Sequence, residues 1–102
     1  MAFTLVLLLL ATQARAVTNI EICKFAVDMA IQANKDKMDG KSLSHSWHDV
    51  HLKMAEIPEK FPEDVVRVLH KSGYNSPLWS TESMISDRLY PECMENLLSK
   101  LN

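Results

Sequence analysis

The chain reads as all-α, a small four- or five-helix bundle stapled by one disulfide, and three features carry that expectation. Glycine occurs only twice in 102 residues, at Gly40 and Gly73, both at points where a helix is expected to stop. Apolar residues recur at three- and four-residue spacing over four separate stretches, the period of a helix face rather than of a strand. The only two cysteines, Cys23 and Cys93, lie near opposite ends of the chain, each on the apolar stripe of its own segment.

Residues 1–16, MAFTLVLLLLATQARA, read as a cleaved secretory signal peptide. An apolar run from Leu5 to Ala11 meets a polar break at Thr12 and Gln13, then the small-x-small triplet Ala14-Arg15-Ala16 that a signal peptidase accepts. No Lys or Arg precedes the apolar run, a departure that a start codon assigned a few residues too late accounts for. The run is far short of the roughly 20 residues a spanning helix needs, and residues 3 to 11 offer no polar face for a buried first helix. The expected organisation is therefore a signal peptide over 1–16 and a single helical domain over 17–102. The protein is expected to be exported, periplasmic or secreted, with no stable membrane anchor after cleavage.

The first helix is predicted over Asn19 to Met38. Ile20, Cys23, Val27, Ala30 and Ile31 recur on one side, Thr18 or Asn19 caps the start, and Lys35 and Lys37 suit the last turn ahead of Gly40. Ser42 or Ser44 caps a second helix to about Glu56, with Trp47, Val50, Met54 and Ile57 as its stripe and Pro58 as its stop. A third helix is expected from Glu63 to Lys71, with Val65, Val66, Val68 and Leu69 inward, Pro62 near its first position and Gly73 closing it. Residues Tyr74 to Trp79 form a turn-rich connector that folds back on the core. Thr81 caps a last helical region with Ile85, Leu89, Cys93 and Leu97 on one face, and Pro91 is expected to kink or break it near Tyr90.

A domain this small is near the size at which a core alone gives marginal stability, so a covalent staple is expected. An oxidising compartment favours pairing Cys23 with Cys93, closing a loop of about 70 residues worth about 4 kcal/mol by chain entropy. The other readings are free thiols, an intermolecular bridge, or two ligands of a metal site, although close CxxC spacing is missing. If paired within the chain, they bring the first and last helices side by side.

Charge excludes some partners. Eleven basic and 13 acidic side chains are interleaved along the sequence, which gives neither a nucleic-acid footprint nor a polybasic membrane patch. No G-x-S-x-G elbow is present, Glu63 and Asp64 suit a helix N-terminus, and a domain of this size is expected to leave little room for a ligand pocket. The chain is therefore expected not to be an enzyme and to need no cofactor.

Two groups stand out as candidate sites. His45, His48 and Asp49, with His51 beside Trp47, place imidazoles and a carboxylate at helical spacing, so His45, His48 and Asp49 are candidate ligands for zinc or copper. His45 and His51 lie about 120° apart around a helix axis, so the alternative is a solvated polar face, one that gains positive charge below about pH 6.5. Tyr74 and Trp79 are candidate interface residues, since Tyr and Trp are enriched at hot spots; their alternative role is to cap one end of the bundle.

Taken together, Cys23 with Ala26, Ala30 and Ala33, Lys37-x-x-Gly40-x-Ser42, Val65-Val66 leading to Gly73-Tyr74, and Tyr90-x-x-Cys93 resemble an uncharacterised family of small exported bacterial helical proteins. That family carries one cysteine on the first helix and one on the last. The chain departs from it at Lys37, where Arg is expected, and in the histidine-rich second helix. The resemblance implies fold, disulfide and export, and transfers no catalytic residue. The functional expectation is a protein-binding inhibitor or immunity-type factor whose partner is another envelope or secreted protein. The alternatives are a periplasmic stress or acid chaperone, similar in size, cysteine content and helicity to the HdeA-like chaperones, and a metal-binding envelope protein.

Overall fold

A computed structural model describes residues 18–57 and 61–101; the expected signal peptide and the stop at Pro58 lie outside them. Among the described residues there are four helices and no strand: α1 Asn19–Met38, α2 Leu43–Ala55, α3 Glu63–Tyr74 and α4 Glu82–Leu101. The all-α fold and the Cys23–Cys93 disulfide, with Cα atoms 5.7 Å apart, are as the sequence predicts.

Local chemistry sets the helix ends. Thr18 caps α1, its hydroxyl accepting from the Glu21 N–H at 3.2 Å and donating to the Glu21 carboxylate, so cap and first turn hold each other. At the other end Gly40 takes φ +84°, where a side chain is disfavoured. The Gly40 N–H then donates to Lys37 O and the Lys41 N–H to Asp36 O, a Schellman closure that satisfies the last carbonyls of α1. Ser42 follows at once as the cap of α2, accepting from the His45 N–H at 3.1 Å. The tight turn thus brings the end of α1 directly against the first turn of α2.

Two glycines serve two purposes. Gly73 does not close the third helix as expected but lies inside it, because α3 runs on to Tyr74. A Cβ at Gly73 would stand 2.1 Å from the Ala30 carbonyl oxygen, so glycine is required by the close approach of α1 and α3. Ala26, Ala30 and Ala33 are fully buried on the facing side of α1, and this seam of small residues is the most extensive helix contact in the bundle. Val65, Val66, Leu69, Ile85, Leu89 and the disulfide complete the core.

Two other expectations are corrected. Val68 is exposed, not inward: at about 100° per residue it falls outside the arc shared by Val65, Val66, Leu69 and Gly73. The buried face extends past Val66 on the other side instead, to His70. Pro91 does not break the last helix, which is one element from Glu82 to Leu101. Pro91 is exposed, as is Asp87 one turn earlier, so the carbonyl left without its helical donor belongs to a residue on the water side.

Candidate functional site

Helix α2 is attached differently from the others. Only Ser46 and Val50 are buried on it, and a cleft opens on each flank. One, of about 400 Å³, lies between α1 and α2 and is lined by Gln32, Asp36, Lys41, Ser46 and Asp49 among others. The second, of about 330 Å³, lies between α2 and α3 and is lined by Leu43, Ser44, Trp47, Arg67, His70 and Lys71. Both volumes fall in the range of small-ligand sites, so the expectation of little room for a pocket is corrected. The reason is that α2 touches the bundle along a narrow strip.

Val50 on that strip joins the apolar core, with Trp47 and Met54 packed against it, and the rest of the strip is polar. Asp36 on α1, Ser46 on α2 and His70 on α3 are 3%, 1% and 1% exposed and form one chain of hydrogen bonds. Ser46 Oγ stands 2.7 Å from Asp36 Oδ2 and 2.8 Å from His70 Nε2. An ionised carboxylate only accepts, so the single hydroxyl proton of Ser46 goes to Asp36, and Ser46 accepts from His70. His70 therefore carries a proton on Nε2. Gln32 donates to Asp36 Oδ1 at 3.0 Å. Lys41 Nζ sits 3.8 Å from Asp36 and 3.3 Å from Asp49.

The charges follow from these contacts. Burial pushes the His70 pKa down and the nearby Asp36 charge opposes it, with the net below the ordinary histidine value. For Asp36 burial by itself would raise the pKa. The hydrogen bonds from Ser46 and Gln32, with the charge of Lys41, outweigh it and hold the carboxyl below its ordinary value. Lys41 is pushed up, first by its hydrogen bond to Asp49 and then by the charge of Asp36.

A serine, a histidine and an aspartate in contact invite comparison with nucleophilic catalysis, but the order is wrong. Activation needs a histidine lone pair facing the hydroxyl proton, with the carboxylate on the far side of the ring. Here serine is in the middle, its proton is held by Asp36, and His70 presents a donor. The arrangement joins three helices through a buried, titratable contact and does not generate an alkoxide.

The sequence-predicted residues are distributed as follows. Cys23 and Cys93 form the disulfide. His45 and His48 are exposed and Asp49 turns to Lys41. Among the described residues no group of three His, Cys, Asp or Glu side chains could hold a metal ion, so the structure does not assemble His45, His48 and Asp49 into a ligand set. His51 stacks beside Trp47 and faces Glu63 at 3.6 Å.

Tyr74 and Trp79 separate in role. Tyr74 donates from its hydroxyl to Lys41 O at 2.6 Å, and Lys37 Nζ lies 5.4 Å from its ring, so Tyr74 ties α3 to the α1–α2 turn. Trp79 is 73% exposed, with Leu78 and Met84 also exposed. The segment presenting it is anchored: Asn34 Nδ2 donates to Ser76 O at 3.1 Å, Ser76 Oγ donates to Ser72 O at 2.9 Å, and Arg88 donates to Ser76 Oγ. The Ser80 N–H closes the turn onto Pro77 O. A hollow of about 210 Å³ lies alongside, lined by Pro77, Trp79, Ser80, Met84, Ile85 and Arg88.

Sequence reasoning missed Asp36, Ser46 and His70. For His70 a signal exists, since it follows Val66 by four residues and precedes Gly73 by three. Asp36 and Ser46 lie ten residues apart across a turn, and only its closed geometry brings them together. No protein-family model, curated protein or solved structure matches the chain.

Proposed function

We propose that this protein is an exported protein-binding module, an inhibitor- or immunity-type factor, that docks on another envelope or secreted protein through Trp79, Leu78 and Met84. The observation that carries this reading is an indole 73% exposed on a segment tied by hydrogen bonds to α1, α3 and α4. A large aromatic on a pre-ordered loop loses little conformational freedom on binding, which is the physics of an interface hot spot. The disulfide suits an oxidising compartment, and the resemblance to small exported two-cysteine helical proteins supports export. The test is to immobilise the oxidised chain and capture its partner from the exported fraction of the source cells. One stoichiometric partner, lost with Trp79→Ala and kept with Tyr74→Phe, supports the reading; capture unaffected by Trp79→Ala overturns it.

A second reading, an acid-activated chaperone, is favoured by the buried His70–Ser46–Asp36 contact. Protonation of His70 places a charge in the seam that holds α2, and loosening α2 uncovers Trp47, Val50 and Met29. Capture of many clients only in acid would support this reading, and unchanged apolar exposure in acid would remove it.

A further inference from the structure

The cleft between α2 and α3 differs from the rest of this net-acidic chain. Arg67 and Lys71 stand one helical turn apart on α3 and both line it. Among the described residues neither forms an ion pair with a carboxylate. Arg67 places its guanidinium over the Trp47 ring, 5.6 Å from the ring centre, within cation–π range. Leu43 and Trp47 supply apolar wall, Ser44 a hydroxyl, and the buried His70 a polar floor.

We propose that this cleft binds a small planar organic anion of the aromatic carboxylate class. Two neighbouring unpaired cations in a concave site favour an anion, and the fork of Arg67 matches the two oxygens of a carboxylate. The indole and Leu43 favour an apolar body, and about 330 Å³, at the small end of ligand pockets, fits one ring with a short acidic arm. Inorganic phosphate would use the cations and leave the indole wall unused. The inference is independent of docking at Trp79, which lies on a different hollow.

The test uses the oxidised chain carrying Trp79→Phe, so that Trp47 is the only indole left. Phenylacetate, its neutral isostere phenylacetamide and inorganic phosphate are titrated while Trp47 fluorescence and its indole N–H resonance are followed. Phenylacetate is expected to give a saturable change, with phenylacetamide weaker by about tenfold or more, the scale of a lost charge-assisted hydrogen bond. Arg67→Gln and Lys71→Gln, each checked for unchanged helicity, are each expected to weaken phenylacetate by about tenfold. Absence of a saturable change at millimolar phenylacetate, equal binding of the amide, or unchanged affinity in both variants would overturn the proposal. Phosphate binding as tightly as phenylacetate would overturn it too, by showing a plain anion site.

Discussion

Helices α1 and α2 are neighbours in sequence, yet they are held to very different extents, and α2 relies far more on one polar contact. Helix α1 buries nine residues, meets α3 along Ala26, Ala30 and Gly73, and is bonded covalently to α4 through Cys23. Helix α2 buries two, and one of those is Ser46, whose partners are an ionised aspartate and a neutral histidine. Close packing and a disulfide are insensitive to pH in the ordinary range, whereas a hydrogen-bond chain ending in histidine is not. The fold therefore divides into an α1–α3–α4 frame and an α2 held in part through a buried contact that contains titratable groups.

The frame should be the costlier part to break. Replacing Cys23 and Cys93 together by Ser is expected to cost about 4 kcal/mol, from the loop the bridge closes, measured as a fall in the denaturant midpoint against the oxidised chain. Gly73→Ala is expected to cost about 3 kcal/mol, because its Cβ would meet the Ala30 backbone and not a side chain that can turn away. If Gly73→Ala left the thermal midpoint unchanged, the close α1–α3 seam would be wrong.

Damage at the polar strip should be smaller and confined. Ser46→Ala leaves Asp36 and His70 without their shared partner and is expected to cost about 1–3 kcal/mol, with hydrogen exchange rising in α2 before α1 or α3. Acid should act on the same place. Below about pH 6.5, the ordinary histidine value, the unfolded chain binds a proton at residue 70 that the folded chain resists, so stability falls as pH drops through that range. Asp36, held low when folded, adds a second loss beginning near pH 4. His70→Gln should flatten the first window and leave the second. Equal loss of α2 and α1 protection in acid would contradict the division.

How much of this was legible in the sequence follows from the same contrast. The frame was readable because periodicity reports apolar faces: Cys23, Val27 and Ala30 on α1, and Ile85, Leu89 and Cys93 on α4, lie where spacing places them. Where spacing was read too broadly it failed, as at Val68. Gly73 was read as a helix stop because glycine is a common terminator, while its use here depends on Ala30, more than forty residues away, and no local pattern carries that. The polar strip was hidden for a related reason. His45, His48 and Asp49 read as a candidate ligand set, but His45 and His48 face water and the buried imidazole is that of His70.

Trp79 gives the smallest expected change in stability and the sharpest separation of stability from function. Among the described residues it is the most exposed of the large apolar side chains, and the backbone that carries it is held through Ser76 and not through the indole. Trp79→Ala should therefore shift stability by less than about 0.5 kcal/mol, read as an unchanged denaturant midpoint. Ser76→Ala should act differently, because it removes the acceptor for Arg88 and the donor to Ser72 O. If the segment works as a rigid display, Trp79→Ala removes partner binding by deleting the contact. Ser76→Ala weakens binding while leaving the indole in place, because a loosened loop must be ordered again on docking. Retained affinity in Ser76→Ala with loss in Trp79→Ala would keep the contact and discard the rigidity. Loss of midpoint in Trp79→Ala would instead mean that the indole belongs to the frame.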